Sequence, residues 1–158
     1  MKRVFFYFNV GSSCAAILFL GLFPMNALLS GYPWTITCYN CNICRLACPA
    51  GIDPYGFVIA ALVNDPDHYM SATRLRLRLA QAEALDPEML VSVNKTKMKA
   101  REARITGIPE ETEVTIIAMK AKHAAKYCFL CANCSKQCPI SLPIKDIAQE
   151  LSEKGGFR

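Results

Sequence analysis

Residues 38–49 read Cys38-Tyr-Asn-Cys41-Asn-Ile-Cys44-Arg-Leu-Ala-Cys48-Pro49, and residues 128–139 read Cys128-Phe-Leu-Cys131-Ala-Asn-Cys134-Ser-Lys-Gln-Cys138-Pro139. Both runs are C-x2-C-x2-C-x3-C-P, and every cysteine and the closing proline recur at an offset of 90 residues. The likeness continues past the prolines. Pro54 and Pro143 each precede a segment with helical character, FVIAAL and KDIAQEL, and proline is well placed at the first position of a helix. The chain reads as an internal duplication separated by a long insert.

The spacing points to a chemistry. Three thiolates at x2 intervals on a tight loop can grip three corners of one iron–sulfur cube, while the fourth cysteine, after x3, points away. In two-cluster ferredoxins that fourth cysteine ligates the other cluster. On this reading one 4Fe-4S cluster takes Cys38, Cys41, Cys44 and Cys138, and a second takes Cys128, Cys131, Cys134 and Cys48. Structural zinc sites also use cysteines, but as CxxC pairs separated by a loop. Disulfides give no reason for so faithful a repeat.

Working outward toward the N-terminus, no charged residue occurs from Val4 to Cys44. Residues 4–31 are long enough for the roughly 20 apolar residues that cross a bilayer core. Tyr32 and Trp34 follow, where aromatic side chains sit at a membrane interface. A cleaved signal peptide is the rival. Its apolar core is roughly 7–15 residues, shorter than this run, and Met25-Asn26-Ala27 is a poor cleavage site. A single-pass anchor over residues 1–33 is therefore expected, with residues 34–158 forming the cluster domain. Cys14 sits among Gly11, Ser12, Ser13 and Ala15 and reads as a helix-packing residue.

Between the motifs, residues 110–126 present Val114, Ile117, Ala118, Ala121 and Ala125 at helical spacing. Three glutamates open this segment and three lysines close it, matching a helix dipole. A preceding helix is expected from Asp86-Pro87 to about Ile105. Residues 68–85 contain the alternating Arg74-Leu-Arg-Leu-Arg-Leu79, but good helix formers surround it, and helix is expected there too. The C-terminal helix carries Ile144, Ile147, Ala148 and Leu151 on one face. The expected class is all-α, with a helical insert over 66–127.

Apolar residues make up 53% of the 158-residue chain and charged residues 20%, which excludes intrinsic disorder. The net charge is +5, and residues 74–104 supply eight basic against four acidic side chains. Without interleaved aromatic residues this run does not read as a nucleic-acid site. It reads first as a solvated face, then as a dock for an acidic partner or anionic lipid. His68 and His123 read as surface or capping residues.

The duplicated motif in a helical context resembles the α-helical ferredoxin fold. That fold occurs in the ferredoxin-like subunit of heterodisulfide reductase and in the C-terminal half of succinate dehydrogenase and fumarate reductase iron–sulfur subunits. The resemblance covers roughly residues 36–155. The 78 residues between the motifs (50–127) and the N-terminal anchor depart from it and suggest a membrane-complex version. The resemblance implies an electron-transfer subunit without catalysis of its own. It would pass single electrons between a quinone- or haem b-containing membrane partner and another redox subunit. The alternative is a direct contribution to a quinone-reducing site near Trp34. The cluster domain is expected at the cytoplasmic face of the inner membrane, because cubes are built in the cytoplasm. Lys2 and Arg3, by the positive-inside rule, argue the other way.

Overall fold

A computed structural model describes residues 2–157 of the chain; the outer boundaries expected at residues 1 and 158 lie outside the described residues. Helix α1 (Lys2–Leu29) carries Pro24 within it. Its segment Asn9–Leu29 is long and apolar enough to span a membrane, and almost none of it is buried in the protein. Only its end enters the domain, where Ala27 and the following Ser30 are fully buried. A short 3-10 turn, Pro33–Thr37, then leads to the first cysteine.

The two cysteine-bearing segments are helical. The first contains α2 (Ile43–Ala47) and α3 (Tyr55–Val63). After the insert come α6 (Ala121–Lys126), α7 (Asn133–Lys136) and α8 (Ile144–Lys154). The apolar stripe of α8, Ile144, Ile147, Ala148 and Leu151, is buried. It packs on α3 and α6, whose inner faces present Phe57, Val58, Ala61, Ala124 and Ala125. Gly155, at φ +68°, ends α8 with a left-handed turn that a residue lacking Cβ adopts without strain.

The insert corrects the all-α expectation. The molecule is mixed α/β, 50% helical and 15% strand, with a five-stranded antiparallel sheet. The strands are β1 (Tyr69–Ser71), β2 (Arg76–Arg78), β3 (Leu90–Val93), β4 (Thr96–Lys99) and β5 (Glu113–Lys120). Strand β5 is central. β1 and β2 pair with successive halves of one of its edges, β3 pairs with the other, and β4 lies outside β3. Two short helices, α4 (Leu79–Leu85) and α5 (Ala100–Ile105), complete the insert.

Each failed helix has a local physical reason. Residues 110–126 split into β5 and α6 because Val114-Thr-Ile-Ile117 is a run of four β-branched residues, stiff at χ1 and suited to a pleated surface. Val114 and Ile116 are buried at period two. In residues 68–85 the alternation prevails over the helix formers at Arg76–Arg78, where Leu77 is buried between two exposed arginines, and helix begins only at Leu79. The expected helix from Asp86 to Ile105 is instead a hairpin followed by one short helix. Asn94 and Lys95, at φ +50° and +69°, form its two-residue turn, the left-handed pair that tight hairpins require.

The insert is clamped onto the first motif at two glycines. A Cβ on Gly51, which sits at φ +72°, would collide with Arg74, and one on Gly56 would collide with Met70. The basic run is partly paired within the insert: Arg104 reaches Glu83 at 2.8 Å and Glu110 at 3.1 Å, and Lys99 reaches Glu88 at 2.5 Å.

Candidate metal centre

The sequence repeat is also a backbone repeat. Asn40 and Leu130, 90 residues apart, have φ +54° and +51°; Asn42 and Ala132 have +60° and +61°; Gly51 and Ser141 have +72° and +54°. Three matched left-handed positions give the two loops the same path. The hydrogen bonds repeat as well. Cys38 N–H donates to Thr35 O at 3.2 Å as Cys128 N–H does to Ala125 O at 3.1 Å, and Gly51 N–H donates to Cys48 O as Ser141 N–H does to Cys138 O. Such loops turn successive N–H groups inward into anion-binding concavities. The N–H groups of Asn40 and Leu130 are directed at the sulfurs of Cys38 and Cys128, and those of Arg45 and Ser135 at Cys44 and Cys134.

The thiols are exposed to different degrees. Cys44 is buried, Cys38, Cys48, Cys128, Cys134 and Cys138 are half-buried, and Cys41 and Cys131 are exposed. Burial pushes the Cys44 and Cys134 thiols up to about 11, and raises those of Cys38 and Cys128. Like-charge proximity adds to this. Cys138 acts on Cys38 together with Cys41, and Cys48 acts on Cys128 and Cys134, while Cys134 also acts on Cys44. The fourth cysteine of each run faces the other run's thiols.

The second set shares a cavity. Cys48, Cys128, Cys131 and Cys134 line one narrow cavity, walled also by Ile52, Phe57, Phe129 and Ala148. In the first set Cys41 and Cys138 both act on Cys38, and Cys38 acts on Cys44. Among the described residues no three His, Cys, Asp or Glu side chains converge closely enough to hold one metal ion. Sulfurs around a single zinc stand at about 2.3 Å from it and so crowd together. Thiolates on a cube each bind a different iron and stand farther apart. The donor set is eight thiols, with N–H groups directed at four of them.

Several features lie outside what spacing could show. Lys145 N–H donates to Ser135 Oγ at 3.0 Å, leaving the serine hydroxyl to donate to the Cys134 sulfur. In the first motif Arg45 follows the third cysteine and offers no such hydroxyl. His123, half-buried in the last turn of α6, has its Nδ1 buried without a hydrogen-bond partner, and burial lowers its pKa. Cys14 is exposed on α1, apart from the eight motif thiols. A groove at the C-terminal end of α1 is lined by Ser30, Tyr32 and Trp34 on one side and by Asp146, Glu150 and Lys154 of α8 on the other. No family model, curated protein or solved structure matches the chain.

Proposed function

We propose that the chain relays single electrons through two 4Fe-4S clusters within a membrane-bound redox complex. Cys38, Cys41, Cys44 and Cys138 would hold one cluster, and Cys128, Cys131, Cys134 and Cys48 the other. When bound, each cube supplies one-electron uptake and release. The chain's own residues bind it through thiolates, direct N–H groups at the sulfurs, and shield it with Ile52, Phe57 and Ala148. Hydrogen bonds to sulfur and exclusion of water are the means by which a protein sets a cluster's potential. The observation that carries this reading is the shared cavity. Cys48 meets Cys128, Cys131 and Cys134 there across 80 residues of chain.

The likeness to two-cluster ferredoxins rests on residues 33–63 and 121–157, where short helices flank the cysteine loops, with the sheet confined to the insert. The partners would be a quinone- or haem-containing membrane subunit and another redox subunit. The cluster domain would face the cytoplasm, and a C-terminal reporter active only outside the cytoplasm would be silent. One observation favours direct contact with quinone. The groove beside Tyr32 and Trp34 lies where the apolar helix meets the domain, and only the 3-10 turn Pro33–Thr37 separates Tyr32 from Cys38.

The deciding experiment is metal analysis of anaerobically purified protein. Roughly eight iron and eight acid-labile sulfide per chain are expected. Stoichiometric zinc without iron would reject the relay.

A further inference from the structure

Helices α2 and α7 lie side by side, with a shallow groove between them lined by Ile43, Leu46, Ala47, Asn133 and Gln137. Leu46 is 79% exposed and Phe129, just before α7, is 70% exposed. Single exposed apolar side chains are ordinary, but here they are grouped on the two loops that carry the thiols. Tyr39, equally placed in the first motif, is also exposed. Ile43 and Leu46, both exposed, line the groove itself, and exposed large apolar groups that cluster mark an interaction site.

The exposed charges of the two cysteine loops have one sign, the adjacent Asp53 being half-buried. Residues 38–52 contain one charged side chain, Arg45, and residues 127–142 contain one, Lys136. Both are exposed and both lie in the last turn of their helices. Arg74 adds a third cation, its guanidinium donating to Arg45 O at 2.9 Å. The face also stands off from the membrane end. Lys145, at the start of α8, is bonded to Ser135 on α7, whereas Lys154, at its end, lines the groove beside Tyr32. Nine helical residues, about 14 Å, separate the two.

Resting on the relay reading, we propose that the α2–α7 face docks an electron-carrying protein whose contact surface has an apolar centre and an acidic rim. Leu46 and Phe129 bury against that centre, and Arg45, Lys136 and Arg74 meet the carboxylates. The step is one electron passing from the partner's cofactor to an iron–sulfur site; no bond breaks and no proton moves.

The test uses the full chain in detergent, with iron content and the electron paramagnetic resonance of the dithionite-reduced protein measured first. Loss of those signals would reject the relay itself. With clusters intact, the rate of their reduction by the anionic hydroquinone of an acidic flavodoxin, which becomes the neutral semiquinone, is followed by stopped flow. The rate should fall at least about tenfold from low to high salt, as electrostatically steered encounters do. The double variant Arg45→Glu, Lys136→Glu should slow it by about tenfold at low salt. Lys97→Glu, on β4 and remote from the face, should leave it unchanged. Leu46→Ser with Phe129→Ser should slow it without altering the salt dependence. The proposal fails if rim reversal has no effect, or if Lys97→Glu slows the reaction as much. It also fails if anionic lipid in nanodiscs blocks the reaction and rim reversal relieves the block, which would make the face a lipid contact.

Discussion

The Tyr32 hydroxyl donates to the Glu150 carboxylate at 2.5 Å, joining a residue three places past the long apolar helix α1 to α8. The Tyr32 ring is buried edge-on against Trp34, at 5.6 Å between centroids, and Phe157, at 6.4 Å. Glu150 is further held by Lys154 at 2.9 Å. Tyr32→Phe keeps the ring packing and removes the hydrogen bond to a charged group, which contributes about 1.5–3 kcal/mol. Denaturant unfolding of the detergent-solubilised protein should show a loss in that range, and an unchanged midpoint would mean that the bond does not hold the domain to its anchor.

The meeting of Cys48 with the second motif predicts reciprocal losses. Cys48→Ser should perturb the cluster of Cys128, Cys131 and Cys134 and leave the other with its four thiolates. Cys138→Ser should do the reverse. Electron paramagnetic resonance of the two variants reads this directly; if each variant damaged the cluster of its own run, the crossed assignment would be wrong.

The hydroxyl of Ser135 makes the two sites unequal. A donor to a ligand sulfur stabilises the more negative, reduced state, so Ser135→Ala should lower the potential of the Cys128 site alone. The hydrogen bond differs between oxidation states by a fraction of about 1.5–3 kcal/mol, and 59 mV corresponds to about 1.4 kcal/mol for one electron. A shift of some tens of millivolts is expected in a redox titration. Equal shifts at both sites would refute the local assignment.

Asp86 links the insert's elements and sets an acid limit. It is buried and accepts from Tyr69 Oη at 2.8 Å, Glu88 N–H at 3.0 Å and Lys120 Nζ at 3.2 Å. Burial by itself raises its pKa, but these partners outweigh it and hold the carboxyl below its ordinary 3.8. A depressed folded-state pKa contributes stability that is present above the unfolded value and lost as pH falls through the folded one. Stability should therefore decline below about pH 3.8. Asp86→Asn should cost about 2–3 kcal/mol at neutral pH and flatten that acid limb. Urea unfolding at pH 7 and pH 3 of both proteins checks the sign.

Much of the candidate site was legible because its signal is covalent and local. Eight cysteines at repeated spacings need no tertiary context to suggest a cluster loop, and Asn40 and Asn42 hint at the left-handed turns, since asparagine tolerates positive φ. Leu130, Ala132 and Ser141 carry no such hint; only the duplication connects them to that geometry. Ser135 was hidden because its role depends on the N–H of Lys145, ten residues on.

The sheet was illegible for a different reason. Val114, Ile117, Ala118, Ala121 and Ala125 form a helical stripe, and Val114 with Ile116 fits a strand as well. The choice rests on partners: Leu77 opposite Val114, Val91 opposite Ile116 and Met70 opposite Met119. By itself the sequence determined the apolar span, the twin cysteine loops and the amphipathic α8, because each is written in spacing along a single segment. The tertiary structure alone decided that the insert is a β-sheet, because strand pairing joins residues far apart in the chain.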